Sequence, residues 1–65
     1  MCEFFGRNLR KYRRKINKSQ RTLALELGCD VRTISAWECG ERDPKLSSLD
    51  QIAEAVRCTR VDLIR

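Results

Sequence analysis

Ten arginines and four lysines stand against nine carboxylates in this 65-residue sequence, which has no histidine. An arginine guanidinium is a planar fork of donors, matched to two phosphate oxygens or to the O6 and N7 edge of a guanine. Binding of a polyanion is therefore the chemistry these side chains supply best. Acid-base catalysis is poorly supplied: without histidine there is no ordinary general base near neutral pH, no imidazole metal ligand and no Cys-His nucleophile pair. The four cysteines, Cys2, Cys29, Cys39 and Cys58, lack the C-x-x-C spacing of zinc sites and are too sparse for a disulfide scaffold. Free thiols, no metal, no cofactor and no enzymatic activity are the expectations.

The cations are unevenly placed. Residues 1–21 carry eight basic and one acidic side chain, whereas residues 22–65 carry six and eight, so one end of the chain holds the positive excess. A chain of 65 residues is expected to form a single domain over 1–65, with a core too thin to line a deep substrate cavity. Phe5, Leu9, Tyr12 and Ile16 recur at helical spacing, while Arg7, Arg10, Lys11, Arg14, Lys15 and Lys18 fall on the opposite half. This pattern predicts an amphipathic first helix ending near Asn17 in a left-handed cap. Ser19 then offers an N-cap for a short second helix with Leu23, Ala24 and Leu27 inward, closed by Gly28. Asp30 starts a third helix, Val31 to Cys39, in which Ile34 and Trp37 face the core and Gly40 marks the end. Beyond the polar turn Glu41-Arg42-Asp43-Pro44, the spacing of Leu46, Leu49, Ile52, Ala53 and Val56 predicts a fourth helix from roughly Ser47 to Val56. Arg57 and Cys58 form a break, and a last turn from about Arg60 buries Leu63, with Ile64 as a second candidate. No stretch alternates with period two, so the fold class is all-α, a compact bundle of five short helices.

Residues 20–40, QRTLALELGCDVRTISAWECG, thus read as a helix, a tight turn opened by Gly28 and a second helix with its own N-cap, which is a helix-turn-helix. Ser19-Gln20, Leu23-Ala24, Gly28, Ile34-Ser35, Glu38, Gly40 and Pro44 fall in register with Arg13 before them and with Leu46, Leu49, Ile52-Ala53, Val56 and Leu63 after. On these residues, across nearly its whole length, the sequence resembles the Cro/CI-type, lambda-repressor-like helix-turn-helix domains of the XRE family. The resemblance implies a lambda-repressor-like fold with helices 2 and 3 as the motif, double-stranded DNA as the partner, and the third helix in the major groove. Three positions depart from the pattern: Lys18 stands where an apolar residue is frequent, Leu25 where a polar one is usual, and Arg57 where glycine is frequent at a helix break. Arg57 must therefore accept an awkward backbone angle or shift the break by one residue.

With Ile34 and Trp37 inward, the outward residues of the third helix are Val31, Arg32, Thr33, Ser35 and Ala36, the candidate base-reading set. Arg32 is the best candidate for specificity, since it can bond guanine O6 and N7 together; its bland alternative is a solvated charge. Val31 and Ala36 offer apolar contact to a thymine methyl or simple partial packing. Gln20 opens the second helix, where free N–H groups and the dipole favour an anion, and the resemblance makes it a phosphate clamp. Arg21 beside it, and Arg42 and Lys45 around the turn after the third helix, complete the candidate phosphate-binding set, with solvated charges as their alternative. The resemblance also pairs the positions of Arg13 and Glu38, and a largely buried ion pair is expected there. Cys29 and Cys58 are expected in the core, Cys39 and Cys2 more exposed, and Leu25 exposed.

The residues and the resemblance together point to a sequence-specific transcriptional regulator, a repressor in its simplest form, and the resemblance implies a palindromic operator occupied by two copies that dimerise, in solution or on DNA, through the Arg57 to Ile64 region. The runner-up is a protein-interaction module, such as an antitoxin held by its toxin or a domain binding another regulator. The longest run without a charge is only Thr33 to Trp37 and no signal-type apolar segment opens the chain, so no membrane contact is expected. A cytoplasmic location of the bacterial or phage type follows as the expectation.

Overall fold

The computed structural model describes residues 4–65, and among them there are five α-helices, one 3-10 turn and no strand. The helices are α1 (Phe5–Lys15), α2 (Gln20–Leu27), α3 (Val31–Cys39), α4 (Leu49–Ala55) and α5 (Arg60–Ile64), with the 3-10 turn at Leu46–Ser48 directly before α4. Both starts of the helix-turn-helix are capped from the sequence. Ser19 Oγ accepts from the Thr22 N–H at 3.0 Å, and Asp30 Oδ1 accepts from the Arg32 N–H at 2.8 Å. Thr59 and Asp62 form a reciprocal capping box on α5.

Four helix ends close by the same device. One or two residues past each end the chain turns left-handed, at Asn17 (φ 55°), Gly28 (71°), Gly40 (79°) and Arg57 (57°). The following N–H then reaches five residues back, from Lys18 to the Arg13 carbonyl, Cys29 to Ala24, Glu41 to Ala36 and Cys58 to Ala53, at 2.9–3.0 Å. This is the Schellman closure, which satisfies carbonyls a helix end would otherwise orphan. Arg57 thus keeps the break where the pattern sets it and takes the strained angle, a conformation that costs an L-residue roughly 1–2 kcal/mol.

α1 packs on α3 and α5, while α2 packs on α3 and α4. Phe5, Leu9, Leu23, Ile34, Ile52, Val56 and Leu63 are nearly inaccessible, and Phe5 meets Trp37 edge to face with ring centroids 6.3 Å apart. Gly6 explains how α1 and α3 come so close: a Cβ there would strike the carbonyl oxygens of Trp37 and Glu38. Asn8 ties the same end of α1 to α5, its side-chain amide donating to the Leu63 and Arg65 carbonyls at 2.9 and 2.8 Å.

Three expectations need correction. Leu46 is 74% exposed, because the 3-10 turn lifts it out of the register that buries Leu49, Ile52 and Val56, and Pro44 is buried just before it. Ile64 lies outward at the edge of α5, only Leu63 being enclosed. Lys18 does not join the solvated basic face; its ammonium is drawn between Glu26 Oε1 at 2.6 Å and the Ala55 carbonyl at 2.8 Å. Cys29 and Cys58 are half-buried free thiols packed against the core, Cys39 is an exposed one, and Cys2 lies outside the described residues.

Candidate nucleic-acid interface

α3 turns Ile34, Trp37 and Glu38 inward, which fixes what its other face presents. Val31 and Arg32 are exposed at its start, while Thr33, Ser35 and Ala36 are half-buried. At 100° per residue Arg32, Ala36 and Cys39 form one outward stripe. Of the candidate reading residues Arg32 and Ala36 lie on that stripe, Val31, Thr33 and Ser35 flank it, and Cys39 extends it by a turn.

The inward side of α3 holds a polar centre. Arg13 forks onto Glu38, with Nε donating to Oε2 at 2.6 Å and Nη2 to Oε1 at 3.0 Å, and its Nη1 donates to the Lys18 carbonyl at 3.0 Å. One guanidinium thereby fastens the end of α1, the residue before the α2 cap and the end of α3. Glu38 Oε1 also accepts from Gln20 Nε2 at 3.1 Å and from Arg10 Nε at 3.4 Å. Burial pushes the Glu38 carboxyl up, but the bonds from Arg13 and Gln20, the Arg13 charge and the Arg10 bond outweigh it and hold the group below its usual range. The carboxylate is ionised and saturated, and no buried side-chain N or O among the described residues lacks a partner.

Two of the other expected phosphate ligands sit on the far side of α3. A shallow hollow of about 440 Å³ opens beside α3, lined by Thr33, Trp37, Arg42, Asp43, Pro44, Lys45 and Ser48. Arg42 and Lys45 are exposed at its rim, and Arg21 is exposed on α2 beside Gln20. α3 is thus flanked by Gln20 and Arg10 on one side and by Arg42 and Lys45 on the other. Arg10 was visible in the sequence only as one of a run of cations; its bond to a residue 28 positions away is a tertiary fact with no local signal.

Through the one Glu38 carboxylate, Arg13 ties α3 to α1 and Gln20 ties it to α2. No helix among the described residues is long and apolar enough to cross a membrane.

The helix-turn-helix family profile matches residues 9–63. The chain also superposes on the crystal structure of the restriction-modification controller protein C.AhdI from Aeromonas hydrophila with a TM-score of 0.83. The two are 32% identical, over 91% of this chain and 89% of that one. No curated protein sequence matches the chain.

Proposed function

The chain belongs to the helix-turn-helix family of DNA-binding regulators, and from that premise we propose that it is a transcriptional repressor acting on a palindromic operator. α3 enters the major groove, where Arg32 forks onto a guanine and Val31 and Ala36 meet thymine methyl groups, with Thr33 and Ser35 at the groove edges. Gln20 and Arg21 hold phosphate on one side of the groove, Arg42 and Lys45 on the other. The observation that carries this reading is the outward face of α3 flanked by Gln20 on one side and by Arg42 and Lys45 on the other. Arg13 and Glu38 support the site from inside without touching DNA.

Two copies bind one operator, joined through the Arg57 to Ile64 region, where Val61 and Ile64 are exposed. Repression follows from occupancy: a bound dimer covers DNA that polymerase needs. The likeness to a restriction-modification controller protein supports the regulatory part of the reading and favours the genes of such a system as targets.

Selection of bound sequences from a random duplex pool tests the proposal. Enrichment of a short palindrome is the expected outcome. No enrichment, together with a tight complex with a protein partner and weak, salt-labile DNA binding, would replace it with the interaction-module reading.

A further inference from the structure

One oxygen of Glu38 serves three residues, Arg13, Gln20 and Arg10. Arg13 alone balances the carboxylate charge, since it holds both oxygens. Arg10 is therefore a surplus cation, tethered through Nε, with both terminal amino groups free of protein partners among the described residues. Its side chain is 44% exposed while that of Glu38 is 1% exposed, so the cluster has a sealed inner end and an open outer rim. That rim consists of the Arg10 guanidinium and the Gln20 carboxamide. Only an NH2 group can face a carboxylate, so the Gln20 amide is oriented, with one hydrogen on Glu38 and the other unspent.

We propose that Arg10 and Gln20 act as the two arms of one clamp on a single DNA phosphate, with Glu38 as the positioning residue for both arms. The inference rests on the DNA-binding reading above and adds to it a ligand, Arg10, and a role for the buried carboxylate beyond the fold. A free surface arginine surrenders rotamer freedom when it grips a phosphate; one already tethered has surrendered part of it beforehand. The Nε tether leaves the terminal amino groups as a fork, the geometry a phosphate takes bidentately. Gln20 also opens α2, where its own N–H and that of Arg21 have no intrahelical acceptor.

Binding of mixed-sequence duplex DNA across a salt series, by the native chain and by R10A, R10K, Q20A, R10A/Q20A and E38Q, tests the clamp. R10A should reduce the steepness of log K against log salt by ~0.9 per bound chain, and weaken binding about tenfold at low salt. R10K should restore the slope but only part of the affinity, because an ammonium cannot bond Glu38 and fork onto phosphate together. Q20A should weaken binding at unchanged slope, and the double variant should lose less than the two single losses combined. In folded E38Q, R10A should cost less than it does in the native background. A purely structural role for Glu38 would leave the R10A loss equal in both backgrounds. If E38Q does not fold, the Arg10 and Gln20 cycle decides alone: additive losses, or an unchanged slope in R10A, overturn the clamp. A native chain that loses slope on R42A but keeps it on R10A sinks the clamp and spares the DNA reading. A native chain with no salt-dependent binding sinks both.

Discussion

Glu38 remains ionised inside the protein because four N–H donors converge on its two oxygens, two of them from the Arg13 fork. Removing the charge leaves the Arg13 guanidinium buried and unbalanced, so Glu38→Gln should cost roughly 3–5 kcal/mol in chemical denaturation, where a surface pair would cost under ~1. Unchanged stability would mean the pair carries no net weight. Because the folded carboxyl lies below its ordinary value of 4.5, its contribution is complete above that value and fades as pH falls through the folded one. Melting temperatures of the native chain and E38Q should therefore converge as the solution is acidified below that ordinary range. Arg57 carries the opposite imbalance, a left-handed angle without glycine. Arg57→Gly removes that strain at some cost in unfolded-chain entropy, and should raise stability by about 0.5–1 kcal/mol. The departure at Arg57 was legible because a helix break has a known backbone requirement. The requirement at Gly6 was not, since a glycine in a helix shows nothing of the α3 carbonyls that approach it. Gly6→Ala should cost ~1–3 kcal/mol by overpacking, although alanine is the better helix former.

At the scale of elements, α2 and α3 were readable to the residue because their ends are written in side chains, Ser19, Gly28, Asp30 and Gly40. The start of α4 was not, because Lys45 and Ser48 provide no side-chain cap and a 3-10 turn intervenes, which is also why Leu46 was misplaced. Lys18 misled for another reason: it lies beyond the end of α1 and past left-handed Asn17, where helical spacing no longer gives a side chain's direction, and its ammonium reaches the Ala55 carbonyl on α4. Two predictions belong to α3 and the turn that follows. Arg32→Ala should cost ~1–3 kcal/mol on the preferred operator and relax discrimination at one base pair per half-site, leaving non-specific affinity nearly intact. Arg42→Ala should weaken all sequences alike and lower the salt slope by about one phosphate's share per copy. Equal losses on operator and scrambled DNA for Arg32→Ala would reduce that residue to a phosphate contact. Cys39 supplies an independent footprint, being an exposed thiol one turn beyond Ala36, whereas burial and then a neighbouring aspartate push the Cys29 and Cys58 thiols up. Alkylation should label Cys39 ahead of those two, and bound operator should slow it; labelling at the same rate with and without DNA would remove that face of α3 from the groove.

The whole molecule sets how much DNA one copy can cover. Its Cα trace measures 24 × 21 × 19 Å, whereas B-form DNA advances ~3.4 Å per base pair, so one chain spans about seven base pairs, less than a turn. The net charge of +5 adds a long-range field that speeds encounter with DNA of any sequence but cannot lengthen the stretch that is read. On the proposed reading a specific operator takes two copies, each with α3 in a major groove on the same face of the duplex. That geometry places the half-site centres ~10 base pairs apart, one helical turn of 34–36 Å. Inserting about five base pairs between the half-sites turns the second onto the opposite face, where a joined dimer cannot follow. Affinity for the spaced site should fall to that of a single half-site, and inserting a full turn should restore the face but stretch the contact, returning only part of the loss. Footprints and mobility shifts on the three spacings would measure this. An operator that tolerates the half-turn insertion at full affinity would mean that the two copies bind independently, and the dimer joined through α5 would be the part of the reading to abandon.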